Sequence, residues 1–314
     1  MKLISIVVTL YNEAGNIPTL IEQITTALEH YNYELILVDD GSTDTSVKII
    51  KENLLPNIKL IVLRKNYGQS AAMAAGIDVA NGDYIVTMDA DLQNDPSDIP
   101  VMLEKLRTEN WELVAGIRAN RKDSRIRKIP SRIANKLIRI TTGVILHDYG
   151  CTLKIFRRDI AKNLDLYGDM HRFIPVLAAL QGAKMTEMPV KHHPRIHGKS
   201  KYGMGRIIKV MSDLLLVLFM QKYFQRPMHI FGPVGLLLFF SGLLINTYLL
   251  IIKLAGEQIG NRPLLILGVI LLLAGLQLIL FGIVAEILMR TYYESQHKKA
   301  FRIRSVIEYN ATPV

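Results

Sequence analysis

Asp89, Asp91 and Gln93 occupy alternate positions directly after a short apolar run, Tyr84 to Met88. A run of that length, rich in β-branched residues, predicts a buried strand. Alternate residues of an extended chain share a face, so Asp89 and Asp91 would point together at the strand's carboxyl end. Two carboxylates held that close repel, and a cation between them relieves the repulsion. Gln93 keeps the same parity and adds a neutral oxygen. Hard oxygen donors suit Mg²⁺ or Mn²⁺, ions that commonly bring phosphate groups with them. The plain alternative is an acidic turn ahead of the helix start Pro96-Ser97-Asp98. Asp-x-Asp by itself is too common to decide between the two.

The flanking chain decides. Leu3 to Leu10 predicts a strand ending in Tyr11-Asn12-Glu13, and Tyr33 to Val38 a second ending in Asp39-Asp40-Gly41-Ser42. Helical spacing follows each, over Ile17 to His30 and roughly Thr45 to Asn53, with Ser42 or Thr43 expected to cap the latter helix. A third strand over Ile58 to Leu63, a loop over Lys65 to Gln69 and an Ala-rich helix over Ser70 to Ala80 lead into the central strand. This alternation with short connections predicts an α/β fold with a parallel, doubly wound sheet. Ligands of such sheets lie beyond the carboxyl ends of the strands. Three polar clusters on that one rim favour a site over three unrelated turns.

Leu113 to Gly116 predicts another strand, with Arg118 at its end. From Arg118 to Arg139 the chain is densely basic and carries few acidic residues. A solvated helix face is the usual meaning of such a run. Here it starts where a site-facing strand ends, and the arginine fork pairs well with phosphate. Asp148 adds a carboxylate before a strand over Thr152 to Phe156, and Phe173 to Leu180 reads as helical. His192, His193 and His197 do not have zinc-site spacing, and Pro194 forces extended backbone among them. Residues 198–203 form a basic, glycine-flanked loop that could close on phosphate or simply act as a linker to the C-terminal part of the chain.

The chain has 314 residues, 50% hydrophobic content and a formal charge of +10, with mean hydropathy +0.22. A basic balance attracts nucleic acid, anionic lipid or phosphorylated substrates. The apolar C-terminal part selects lipid. Met204 to Gln225 is amphipathic and suited to a membrane interface. Met228 to Ile252 and Pro263 to Leu288 are each long enough to span a hydrocarbon core of about 30 Å. The expected organisation is a catalytic domain over 1–203, an interfacial amphipathic helix over 204–226, spans over 227–253 and 263–289 joined by a non-cytosolic loop over 254–262, and a basic cytosolic tail over 290–314. Lys222 and Arg226 precede the hairpin, and Arg290, Lys298, Lys299, Arg302 and Arg304 follow it. The positive-inside rule then places both ends in the cytosol, which in a bacterium means the inner membrane with a cytosolic catalytic domain. Lys2 is followed by only a short apolar run, unlike a secretory signal. The single cysteine, Cys151, allows no intrachain disulfide and fits a reducing compartment. Gly235 and Gly242 in one span, and Gly268, Gly275 and Gly282 in the other, recur every seven residues. They make smooth stripes through which a homo-oligomer could pack.

Taken together, Leu10-Tyr11-Asn12-Glu13, Val38 to Ser42, Asn66-Tyr67-Gly68-Gln69 and Met88 to Gln93 resemble the family-2 glycosyltransferases of GT-A fold. The subgroup that fits is the polyprenyl-phosphate glycosyltransferases, which include dolichol-phosphate mannose synthase, bactoprenol glucosyltransferases and the undecaprenyl-phosphate aminoarabinose transferase. Asp148 to Cys151, Arg195 to Tyr202 and the paired spans resemble its bacterial members. The resemblance implies that Tyr11, Glu13, Asp39 and Asp40 hold the nucleotide, with Asp40 accepting from the uracil edge. It implies that Asp89, Asp91 and Gln93 hold Mg²⁺ or Mn²⁺ on the diphosphate. Arg118, Arg127 and Ser131, with Arg132 beside them, would take the acceptor phosphate. Arg195, Ser200 and Lys201 would close over the donor.

Asp91, Arg118, Arg127 and Asp148 are therefore the candidate catalytic set, with Asp148 orienting substrate and not an obligatory base. The implied reaction moves one sugar, with inversion, from a nucleotide sugar to polyprenyl phosphate at the cytosolic membrane face. UDP-glucose and undecaprenyl phosphate are the first expectation. Aminoarabinose, galactose, N-acetylhexosamine and GDP-mannose donors are the alternatives. Processive synthases carry a Gln-x-x-Arg-Trp signature, whereas the only tryptophan here is Trp111. A non-catalytic membrane scaffold would not need both the carboxylates and the basic wall. The spans and the acidic rim oppose a nucleic-acid partner.

Overall fold

The computed structural model describes residues 2–118, 138–140, 142–166, 168, 170–195, 214, 219, 223 and 226–295. The chain divides into two units, Met1–Val217 and Leu218–Val314. The first is built on a seven-stranded sheet. Its strands are β1 (Ile4–Leu10), β2 (Tyr33–Asp39), β3 (Ile58–Val62), β4 (Tyr84–Asp89), β5 (Leu113–Arg118), β6 (Lys154–Arg157) and β7 (Met185–Val190), in the order β3-β2-β1-β4-β6-β5-β7. The helices between them are α1 (Ile17–Ala27), α2 (Ser46–Glu52), α3 (Gln69–Val79), α4 (Asp98–Thr108), α5 (Arg158–Lys162) and α6 (Ile174–Leu180).

β1, β2, β3 and β4 pair in parallel. β1 is buried along its whole length, which is why it reads as a continuous apolar run and not as an alternating one. Ile4, Ile6, Val8 and Leu10 enter a core with Leu20 and Ile24 of α1 and Ile99 and Met102 of α4. On the other face α3 comes so close that a Cβ on Gly76 would meet Val7 at 2.4 Å and Val38 at 2.9 Å. The strands therefore cannot shift without breaking two cores.

The sheet is mainly parallel, with one reversal. β6 runs antiparallel between β4 and β5, and β7 returns parallel to β5 at the edge. The register sets Thr87 opposite Lys154, so the chain enters β6 from the rim where β4 ends. β7, α5 and a 3₁₀ turn over Met170–Arg172 are absent from the sequence reading. β7 contains Glu187 and Pro189, which an edge strand tolerates but a hydrophobic pattern does not reveal.

The second unit contains two long helices, α7 (Met228–Leu254) and α8 (Pro263–Ser295). Met228–Leu254 and Pro263–Met289 are each long and apolar enough to cross a membrane, with mean hydropathies of 2.1 and 2.9. The glycine stripes face each other inside this hairpin. A Cβ on Gly242 would lie 2.5 Å from Leu272 N, and one on Gly275 would lie 2.4 Å from Phe239 N. Close approach of α7 and α8 thus brings the two stripes together within one chain. Of the expected interfacial segment, only Leu214, Phe219, Tyr223 and Arg226 are among the described residues.

Candidate active site

The loops after β1 and β2 are tied together. Asn12 adopts φ 53°, a left-handed conformation that asparagine tolerates. Its N–H donates to Ser42 Oγ at 2.8 Å, and its Oδ1 accepts the N–H of Thr43 at 2.8 Å. Glu13 N–H donates to Ser46 Oγ at 3.0 Å. Ser42 and Thr43 thus bridge two strand ends and do not cap the helix. Asp44 serves the start of α2 instead, its Oδ1 accepting Ser46 N–H at 2.9 Å.

The two adjacent aspartates at the end of β2 differ in kind. Asp40 accepts the N–H groups of Tyr67 at 2.7 Å and Gly68 at 2.9 Å, one on each oxygen, which fixes the loop leading to α3. Asp39 Oδ2 accepts Ser42 N–H at 3.0 Å. Asp39 Oδ1 is buried and has no hydrogen-bond partner among the described residues. A sealed, unpartnered acceptor is costly and marks a place where a donor is missing.

Asp89 and Asp91 converge at the end of β4. Gln69 Nε2 donates to Asp89 Oδ1 at 2.6 Å, and Thr152 adds a second hydrogen bond. Burial, then the charge of Asp91, push the Asp89 carboxyl well above the usual carboxylate range against those hydrogen bonds. The backbone N–H of Gln93 donates to Asp91 Oδ1 at 3.2 Å. The neighbouring segment is pinned across this loop. Asn94 bridges to His192 in antiparallel fashion, and His193 N–H donates to Gln93 O at 2.8 Å. His193 Nε2 lies 3.1 Å from Asp95 Oδ2. Arg195 is thereby brought onto the site, donating to Asp91 Oδ2 at 2.6 Å, with Glu13 Oε1 3.6 Å away. Among the described residues no three His, Cys, Asp or Glu side chains form a metal cluster. Two converging carboxylates that repel each other, with the Gln93 amide next in sequence, fit a hard divalent ion that takes its remaining ligands from phosphate and water.

On the far side of β4, Arg118 and Asp148 form a two-pronged pair. Nε donates to Oδ2 at 2.7 Å and Nη2 to Oδ1 at 2.8 Å, while the Gly150 N–H reaches Oδ1 at 3.0 Å. Gly150 leaves room for the guanidinium, since a Cβ there would meet Arg118 Nη2 at 2.9 Å. Burial works to raise the Asp148 carboxyl, but Arg118 holds it below the usual range. Lys154 is fully buried between these clusters and donates to Cys151 O. Burial lowers its pKa; Asp148, Arg118 and Asp89 are among the charges that act on it.

Tyr11, Glu13, Asp39, Asp40, Asp89, Asp91, Gln93, Arg118, Asp148 and Arg195 therefore all belong to the loops and strand ends of this rim. Arg127, Ser131, Arg132, Ser200 and Lys201 lie outside the described residues. Sequence reasoning missed Ser70, Thr152, Lys154 and His171 as rim residues. Lys154 had a signal, a lone cation inside an otherwise apolar strand. Thr152 and His171 had none, since their positions depend on the reversal of β6 and the turn before α6, and Ser70 joins them only through its contact with His171.

The glycosyl transferase family 2 model matches residues 5–165. The chain is 46% identical over 97% of its length to a dodecaprenyl-phosphate galacturonate synthase of Rhizobium johnstonii, covering 93% of that protein. It is 36% identical over 97% of its length to an undecaprenyl-phosphate 4-deoxy-4-formamido-L-arabinose transferase of Pseudomonas fluorescens, covering 89% of it. Its fold resembles glucosyl-3-phosphoglycerate synthase of Mycobacterium tuberculosis, solved with Mn²⁺, UDP-glucose and glycerol 3-phosphate. The TM-score is 0.54 at 16% identity, over 70% of this chain and 80% of that one. The chain belongs to glycosyltransferase family 2.

Proposed function

We propose that this enzyme transfers one sugar from a uridine diphosphate sugar to a polyprenyl phosphate, and that the sugar is a hexuronic acid of the galacturonate type. The observation that carries this reading is the 46% identity, over nearly the full length of both chains, to a galacturonate synthase acting on dodecaprenyl phosphate. A 4-deoxy-4-formamido-L-arabinose donor is the second reading, supported by relatives at 34–36% identity. The relatives favour these alternatives over glucose.

Asp39 Oδ1 is suited to accept the imino N–H of the base, while Asp40 holds the loop beneath. This refines the expectation that placed Asp40 on the uracil edge. Asp89, Asp91 and Gln93 would hold Mg²⁺ or Mn²⁺. Such an ion, when bound, neutralises the charge that grows on the departing diphosphate. Arg195, now on Asp91 and Glu13, is placed to move to the diphosphate, with Ser200 and Lys201 following it in the chain. Arg118, together with Arg127, Ser131 and Arg132, would take the acceptor phosphate. A phosphate monoester has a second pKa of about 6 and is itself a competent anionic nucleophile at neutral pH. It needs no base, which agrees with an Asp148 carboxylate already committed to Arg118. Attack opposite the leaving diphosphate inverts the anomeric centre. The two apolar helices would keep the site at the inner membrane's cytosolic face, where a long-chain acceptor is concentrated.

The test is transfer of radiolabel from a panel of nucleotide sugars to undecaprenyl or dodecaprenyl phosphate, read by organic extraction. Label should enter the lipid from UDP-galacturonate well ahead of UDP-glucose, and chelation should abolish it. Label from the formamido-arabinose donor alone would select the second reading. Bound nucleotide with no lipid labelling from any donor would defeat both.

A further inference from the structure

His171 lies in the 3₁₀ turn before α6, outside every motif that points to the family. The residue is 8% exposed. Among the described residues, its imidazole is held by Ser70, on the first turn of α3. Ser70 Oγ accepts the backbone N–H of His171 at 3.0 Å and lies 3.1 Å from the ring's Nδ1. The Ser70 hydroxyl hydrogen has no other acceptor among the described residues, so the hydroxyl donates to Nδ1. That leaves the ring's own proton on Nε2. Burial, with Arg172 and Lys154 nearby, lowers the His171 pKa to about 3, so the imidazole is neutral at working pH.

The Nε2–H has no hydrogen-bond acceptor among the described residues. The residue keeps a small part of its surface open. Its location is set by its neighbours. Ser70 follows Gln69, whose amide holds Asp89, and Lys154 acts on His171, Asp89 and Asp148 alike. A neutral donor, fixed in one tautomer and flanked by two cations, stands at the rim where two phosphate-bearing substrates must meet.

We propose that His171 binds substrate in this site by donating its Nε2–H to an anionic phosphate oxygen, with Ser70 as the residue that orients it, and that it does not act as a base. This rests on the transferase reading above. The oxygen belongs either to the donor's diphosphate or to the acceptor phosphate, and the chemistry is the same for both.

The test uses the full chain in nanodiscs. His171→Phe keeps a ring and removes the donor; His171→Gln supplies a neutral N–H at about the reach of Nε2. Two constants are measured: the dissociation constant of uridine diphosphate with Mn²⁺ by calorimetry, and the apparent KM for polyprenyl phosphate. Loss of a hydrogen bond to a charged oxygen should weaken one of them by roughly 10- to 100-fold in His171→Phe. His171→Gln should restore it to within about threefold, and Ser70→Ala should shift the same constant in the same direction. A shift in nucleotide binding assigns the oxygen to the diphosphate, and a shift in KM for the lipid assigns it to the acceptor. Two outcomes overturn the proposal: a lower melting temperature with both constants unmoved, or a kcat loss in His171→Gln as deep as in His171→Phe, which is what removal of a base would give. If His171→Phe does not fold, Ser70→Ala carries the comparison, and unchanged constants there also overturn it. A wild-type protein that moves no sugar to polyprenyl phosphate defeats the transferase reading instead. Nucleotide binding then still reports on His171, and an unmoved constant there ends the assignment.

Discussion

Arg195 places one guanidinium on two carboxylates from different strand ends, Nη2 at 2.6 Å from Asp91 Oδ2 and Nη1 at 3.6 Å from Glu13 Oε1. A divalent ion on Asp89 and Asp91 would contend with it for the same oxygen. Replacing Arg195 with methionine should therefore tighten Mn²⁺ binding to the nucleotide-free protein, by roughly tenfold, or about 1.4 kcal/mol. Titration of free Mn²⁺ by electron paramagnetic resonance measures this directly. Sugar transfer should fall in the same variant if, as proposed, the arginine moves to the diphosphate. Unchanged or weaker Mn²⁺ binding would show that Arg195 does not guard the carboxylate.

Asp91→Asn and Asp89→Asn keep the size of the side chains and remove the charge. If the pair supports charge development on the leaving group, each should reduce transfer by about 10²- to 10³-fold or more, as loss of a well-placed electrostatic group does. Membrane insertion and melting temperature should change little, since both carboxylates face the rim and not the apolar core. Retained transfer in either variant would contradict the assignment. Loss of insertion together with activity would point to a structural role for the pair.

The Arg118–Asp148 pair is nearly buried, with side-chain exposures of 15% and 10%. Asp148→Ala removes the carboxylate that both prongs of the nearly buried Arg118 guanidinium hold, at a cost of about 3–5 kcal/mol, or roughly 10 °C in melting temperature for a unit of this size. The pH dependence has a definite sign. The Asp148 pKa is depressed in the folded protein, so the pair's stabilisation is complete above the unfolded value of 3.8 and is lost as pH falls through the lower folded value. The stability difference between wild type and Asp148→Asn should thus be flat from pH 8 to pH 5 and shrink below pH 4. A difference that fades already near pH 6 would place the titration on another group.

Much of this site is legible in the sequence because its carboxylate half is local. Asp89, Asp91 and Gln93 follow one strand, and Tyr11-Asn12-Glu13 and Asp39-Asp40 follow two more. Parallel pairing brings all three ends to one edge. The division of labour between Asp39 and Asp40 is not legible, since it turns on which carboxylate receives the amides of Tyr67 and Gly68. Lys154 is visible as a cation in a strand-like run and Thr152 is not visible at all, but the placement of both is topological. Only the antiparallel entry of β6 from the rim sets Thr152 and Lys154 beside Asp89. His171 depends on a contact with Ser70 across 101 positions of sequence, which no periodicity records. The glycine stripes are visible, but not their partner. Spacing shows that a helix packs there, and the short connection between the spans makes the other half of the same hairpin the nearest helix.

The contact between those two helices can be tested by filling it. A side chain at Gly275 would put its Cβ 2.4 Å from Phe239 N and 2.6 Å from Gly235 O. One at Gly242 would put its Cβ 2.5 Å from Leu272 N and 2.7 Å from Gly268 O. These neighbours are backbone atoms, so rotamer changes cannot relieve the clash and the helices must separate. Gly275→Val and Gly242→Val should each destabilise the hairpin by ~3 kcal/mol or more, beyond the usual overpacking of a side-chain core. Gly260→Ala is the internal control, because its Cβ would meet nothing within 4 Å. Thermal melts in detergent should show a large fall for the first two and none for the third. Since both stripes face inward, the valine variants should lose stability at every protein concentration. A loss that appears only on dilution would mean that the stripes join separate copies of the chain.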